Sequence, residues 1–184
     1  MTLRLPQPSY PRRPSSHRPS AGRSTGSVAV CVLVCGSAER GDDAAGLVVA
    51  RQIAGQLSPD VLVNIVGQLD IDDLLAVPTG ASVVIVDTAA GIQSGRVVDL
   101  DLNALVDRTD GFRPRSSHAL EFREVIGLAE LIRGRPLAGR IVAVGGTRFG
   151  LGRPLSPSVR AALPSFASAV VAAVDGLRGP TAAT

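Results

Sequence analysis

Carboxylates recur where this chain stops being apolar. Asp42 and Asp43 follow the first long hydrophobic run, Gln68, Asp70, Asp72 and Asp73 follow the second, and Asp87 closes the third. His118 stands behind Ser116 and Ser117, and the other histidine, His17, lies in the leading segment. A carboxylate can serve as a general base or hold a cation, and an imidazole can do either near neutral pH. One histidine with one or two carboxylates suits a borderline divalent ion such as nickel or zinc better than magnesium or calcium. Each residue also has a structural reading. Aspartate at a helix start accepts unpaired N–H groups and complements the helix dipole. That explains one of Asp42 and Asp43 well, and two in succession less well. Asp72 and Asp73 read as a solvated helix start, Asp87 as a strand-end turn residue and His118 as part of a capping region. A helix N-terminus disfavours imidazolium, so a neutral His118 able to ligate a metal is expected.

Other chemistries fail on residue type. Gly36-Ser-Ala-Glu-Arg-Gly41 has the spacing of a phosphate loop, but Asp42 and Asp43 follow where lysine and a hydroxyl should stand. Two carboxylates there repel phosphate, and the chain contains no lysine at all. The dinucleotide pattern G-x-G-x-x-G does not occur, and the one G-x-S-x-G, Gly22-Arg-Ser-Thr-Gly26, lies in the Pro/Ser/Arg-rich leader and not at a strand-to-helix turn, so it is no serine-hydrolase elbow. Cys31 and Cys35 lie four residues apart on one strand, about 13 Å, too far for a disulfide. Cys31 reads as core. Cys35 at the strand end is a conceivable nucleophile beside His118, but a buried, inert thiol fits it better.

The elements that must position these residues alternate between strand and helix. Val28–Cys35 is a continuous β-rich run, Gly36–Asp43 a polar turn and Ala44–Leu57 a helix. Val61–Val66 is a second strand, Asp70–Ala76 a short helix, and Ser82–Val86 a third buried strand ending at Asp87. Arg96–Leu102 alternates like an edge strand, Ala119–Arg133 is amphipathic and helical, and Arg140–Val144 is a further strand. Ser156–Leu177 is a long helix opened by Ser-Pro. This order implies an α/β fold, a three-layer αβα sandwich around a mostly parallel twisted sheet. In such sheets the site lies beyond the carboxyl ends of the strands, where the acids and His118 are found.

The 184 residues are 45% hydrophobic and 19% charged, enough apolar material for one sizeable core. No apolar run is expected to reach the ~18 residues of a membrane span. Aromatics at 3% leave little for stacking on single-stranded nucleic acid. The net charge of +3 is divided unevenly. Residues 1–27 carry five arginines and no acid, so the remainder is net −2. That Pro/Ser/Arg-rich leader is expected to be a disordered tail, with the folded domain over 28–178 and a flexible end over 179–184. Arg12-Arg13 is not followed by a hydrophobic region, so it does not read as an export signal.

Several stretches, in order, resemble the [NiFe]-hydrogenase maturation proteases. Val32-Leu-Val-Cys-Gly-Ser-Ala-Glu-Arg-Gly-Asp-Asp-Ala-Ala-Gly46 is similar to that family's opening strand, turn and acidic pair. Val83-Val-Ile-Val-Asp87 resembles its third strand, Gly95-Arg-Val97 its "PGxV" element, Ser116-Ser-His-Ala-Leu120 its histidine segment and Leu155-Ser-Pro-Ser-Val159 its "LSPxV".

The resemblance implies a twisted sheet between helices and an endopeptidase that trims a C-terminal extension from a hydrogenase large-subunit precursor after nickel insertion. Nickel would be borne by the substrate, touched transiently by Asp43 and His118, which carry the catalytic and metal-contacting roles. Asp42, Asp87, Gly36 and Gly41 are supporting positions. The family's middle acid is missing. Where many members have Asp-Gly-Gly-Thr, this chain reads Val66-Gly-Gln-Leu-Asp70, which puts Val66 at the acid's place and leaves Gln68 or Asp70 as candidate substitutes in a degenerate or subfamily-specific protease. The resemblance further implies a cytoplasmic monomer acting on that precursor, with neither nucleic acid nor membrane as target. A non-cleaving assembly factor for the same precursor, or a small-ligand module of the same fold, would use the same edge.

Overall fold

The computed structural model describes residues 28–106 and 117–178, with side chains for 28–104 and 122–178. The tail expected over 1–27 and the end over 179–184 lie outside the described residues.

β-branched runs build the sheet. Val30–Cys35 (β1) is buried at every residue, and Ser82–Ala89 (β3) is buried through its centre. Val61–Gly67 (β2), Val97–Asp101 (β4) and Gly139–Gly145 (β5) complete a five-stranded sheet of order β2-β1-β3-β5-β4. Strands β1, β2, β3 and β5 run parallel, and β4 joins β5 antiparallel at the edge. Central parallel strands are covered on both faces, which is why they read as unbroken apolar runs. Strand β2 reads the same way, yet it is an edge, with Val63 and Ile65 exposed.

Alternate side chains of β1 divide the core in two. Val30, Val32 and Val34 point into a cluster with Ala45–Ile53 (α1) and Pro157–Arg178 (α5). Cys31, Leu33 and Cys35 point into a second cluster with Ile71–Leu75 (α2) and Ser117–Arg133 (α4). Three layers result, as the strand–helix alternation implies. A short helix, Leu102–Val106 (α3), was not legible in the sequence; Asp101 Oδ1 starts it by accepting the Asn103 N–H at 2.8 Å.

By length and composition α5 is apolar enough to cross a membrane, contrary to the expectation that no segment reaches that limit. In the fold its apolar stripe, including Phe166, Val170 and Val174, lies on the sheet. On the other face Arg133 ties α4 to α2, its Nη1 donating to the carbonyls of Leu74 (2.9 Å), Leu75 (3.3 Å) and Val77 (3.0 Å). Leu74 and Leu75 close α2 and Val77 follows it, so one guanidinium gathers the carbonyls at that helix end.

Phe166 is among the largest fully buried side chains. Phe166→Ala leaves a cavity between α5 and the sheet and is expected to cost about 3–5 kcal/mol. Urea unfolding should show a lower midpoint at an unchanged slope.

Candidate functional site

From β1 the chain passes outward to β2, then returns across β1 to β3 on its other side. That reversal opens a crevice at the carboxyl ends of β1 and β3, the switch point at which α/β sheets bind ligands. A cavity of about 630 Å³ fills it, lined among others by Arg40, Asp43, Gln68, Asp87, Phe122 and Phe149.

The turn after β1 sets one wall. Gly36 has φ +114°, and its Cα lies against the Asp43 carbonyl so closely that no side chain fits. Its N–H donates to the Gly67 carbonyl at 2.7 Å, joining the end of β1 to the end of β2. Ser37 N–H then donates to Asp43 Oδ2 at 2.9 Å, fixing the carboxylate on the cavity wall. Among the described residues Asp43 Oδ1 has no hydrogen-bond donor.

Asp42 and Asp43 sit together in a 3-10 turn, Gly41–Ala44, and neither side chain caps it. Asp42 is 0% exposed. Its Oδ2 accepts the N–H groups of Thr147 and Arg148, both at 2.9 Å, and Oδ1 accepts that of Ser156 at 2.6 Å. Its backbone is held too, the N–H donating to the Arg148 carbonyl at 2.6 Å and the carbonyl accepting Thr88 Oγ1 at 3.0 Å. Burial alone would push this carboxyl up, but the N–H groups of Ser156, Thr147 and Arg148 together outweigh it and hold it below the usual aspartate range. Capping therefore does not account for the acidic pair. Asp42 bolts the β1 turn to the β5–α5 loop, and Asp43 lines the cavity.

Of the two candidates after β2, Gln68 reaches the cavity and Asp70 does not line it. Asp70 starts α2 instead. Its Oδ1 accepts the Ile71 N–H at 2.6 Å, while Asp73 Oδ2 accepts the Asp70 N–H at 2.9 Å in a reciprocal capping box. Val66, onto which the resemblance puts the missing acid, is half-buried against the α2–α4 core. Asp87, near the end of β3, lines the cavity. His118 is the second residue of α4, one helical turn before the cavity-lining Phe122, and its side chain lies outside the described residues. Among the described residues no three His, Cys, Asp or Glu side chains gather as a metal-binding group.

The thiols stay protonated. Burial pushes Cys31 up to about 11. Cys35 is pushed further, first by burial and then by the nearby charges of Asp87, Asp73 and Asp43, which outweigh the Leu69 N–H. A thiol surrounded by carboxylates is a poor nucleophile at neutral pH.

Sequence reasoning missed Arg40, Phe122 and Phe149 as lining residues, together with every partner of Asp42. The glycine-rich stretch Gly145–Gly152 that carries Phe149 was the available signal, lying as it does at the end of a buried strand.

No protein-family model matches the sequence, and no curated protein matches it. Solved structures do match. The [NiFe] hydrogenase maturation protease HybD from Thermococcus kodakarensis is 21% identical with a TM-score of 0.62, over 81% of this chain and 99% of that one. The hydrogenase maturating endopeptidase HybD from E. coli is 18% identical with a TM-score of 0.65, over 80% and 93%. The [NiFe] hydrogenase maturation protease HycI from Thermococcus kodakarensis is 20% identical with a TM-score of 0.57, over 82% and 95%. The α/β fold expected from the sequence is thus the fold of these proteins.

Because Asp42 binds its proton less tightly when folded, its contribution is complete above the ordinary aspartate value of about 3.9 and disappears as the pH falls through the lower folded value. Asp42→Ala leaves buried N–H groups without acceptors and is expected to cost about 3 kcal/mol near neutral pH. The difference from the unmodified chain should shrink on acidification, as measured by denaturant unfolding at a series of pH values.

Proposed function

We propose that this chain is a [NiFe]-hydrogenase maturation endopeptidase, removing a C-terminal extension from the large-subunit precursor once nickel is in place. The observation that carries this reading is the meeting of Asp43, Gln68 and Asp87 around one switch-point cavity, in a fold shared over 81% of the chain with a protease of that kind. The motifs between Val32 and Val159, in the family's order, support it independently. With it go a cytoplasmic location, a monomeric state and the precursor as partner, rather than nucleic acid or membrane.

Nickel is part of the substrate in this reading, held by thiolates of the precursor. Asp43 and His118 contact it, so that only a loaded precursor docks with its scissile peptide against the cavity. Ser37 N–H fixes Oδ2 of Asp43, which leaves Oδ1 for the substrate side. The carboxylate takes a proton from water as the water oxygen bonds to the scissile carbonyl carbon. The same proton passes to the leaving nitrogen as the C–N bond breaks. Asp87, on the same cavity, is the second carboxylate, which when protonated donates to the carbonyl oxygen. Asp42 has no part in the chemistry, because both its oxygens are engaged by backbone N–H groups.

Gln68 favours a second reading, a non-cleaving assembly factor that binds the same precursor. An amide oxygen is uncharged and a weaker ligand than a carboxylate, and Asp70 is engaged in capping α2.

Intact-mass spectrometry separates the two. Nickel-loaded and nickel-free precursors are incubated with the chain and with Asp43→Asn. Loss of a C-terminal peptide only from loaded precursor is expected, slowed roughly a hundred-fold or more in the variant. Stable binding with no change in mass would establish the assembly factor. Undiminished cleavage by Asp43→Asn would remove Asp43 from the mechanism.

A further inference from the structure

Building on the protease reading, we propose that Arg40, Arg148 and Arg153 form a rim that receives carboxylates of the substrate segment on the departing side of the scissile bond. Arg40 is more than a hundred residues from Arg148 and Arg153 in sequence, yet all three stem from one locked patch. Arg40 lines the cavity, and its backbone forms a parallel bridge with Arg153. Gly41, the next residue, has φ +59° and presses against the Arg148 carbonyl and the Arg153 Cβ. Gly152 N–H donates to the Glu39 carbonyl at 2.7 Å, and Asp42 N–H to the Arg148 carbonyl at 2.6 Å. The backbones of the three arginines therefore have a fixed spacing around the turn that carries Asp43.

All three arginines are exposed, and among the described residues none is within ion-pair distance of a carboxylate. Clustered like charges repel one another, so such a patch has negative charge to gain from a ligand. Guanidinium groups are well suited to carboxylates because their paired N–H donors match the two oxygens. The cavity beside them has the opposite character, with Asp43 and Asp87 on its wall. An acidic peptide is thus repelled from the floor and attracted to the rim, which orients it. The rim lies on the β5–α5 side of the sheet, whereas His118 and Phe122 belong to α4 on the other face. With the metal-bearing part of the substrate toward Asp43 and His118, the departing segment crosses the arginines.

The test uses the full chain and a short fluorescent peptide bearing paired aspartates and an amidated C-terminus, read by anisotropy at increasing salt. Binding should weaken with salt, and the combined variant R40Q/R148Q/R153Q should bind about ten-fold more weakly. Arg153→Gln alone should shift in the same direction, and Arg51→Gln on α1 should not shift. An asparagine-for-aspartate peptide should bind the unmodified chain as weakly as the combined variant binds the acidic one. If the asparagine peptide binds well only with a free C-terminus, the terminal carboxylate is the group received. Equal affinity for acidic and neutral, amidated peptides would overturn the proposal. In precursor cleavage the combined variant should raise KM with little change in kcat. Cleavage with KM unmoved sinks the rim and spares the protease, whereas arginine-dependent binding without any cleavage sinks the protease and leaves a carboxylate-binding surface.

Discussion

Everything at the carboxyl edge of this sheet depends on one buried carboxylate. Asp42 accepts three backbone N–H groups from a loop more than a hundred residues away in sequence, and its own backbone is held by Arg148 and Thr88. A charge with no exposure is tolerable because those N–H groups replace its water, and the carboxylate in turn satisfies donors at the start of α5. Ser156 has both duties. Its N–H reaches Asp42, and its Oγ accepts the Val159 N–H at 3.4 Å in the first turn of α5. The acidic pair and the Leu-Ser-Pro stretch, two separate features in the sequence, are two halves of one contact.

That contact explains why the neighbouring Asp43 can work differently. With Asp42 anchored inward and Gly36 allowing the turn to fold back, Asp43 is carried to the cavity wall and held by Ser37. Two adjacent aspartates therefore divide structure and chemistry between them. The same geometry bars phosphate from this turn, since the carboxylates occupy the place where a phosphate loop offers N–H groups and a lysine. What remains is a cavity with Asp43 and Asp87 on its wall, the amide of Gln68 beside them and Arg40 at its edge.

Much of the fold was legible because central parallel strands are apolar throughout and helices between them have a clear period. The same rule misled at β2, whose apolar run belongs to an edge, and at α5, whose length and apolarity also suit a membrane span. Asp43 and Asp87 were legible as candidates because strand ends at a switch point are where ligands bind. The duty of Asp42 was not, because capping is a local explanation and its partners, Thr147, Arg148 and Ser156, are brought to it only by tertiary structure. Asp70 shows the converse. Its local capping box with Asp73 could be read from spacing alone, and it kept that residue away from the cavity. Phe149 and Arg40 reach the cavity from turns whose conformation no periodicity encodes.

The most direct measurement is an NMR titration following the Asp42 carboxyl carbon together with the amides of Thr147, Arg148 and Ser156. If Asp42 is the bolt, all four should move together, with one midpoint clearly below the ordinary aspartate value of about 3.9. A carboxyl that titrates at the ordinary value while the three amides stay still would contradict it.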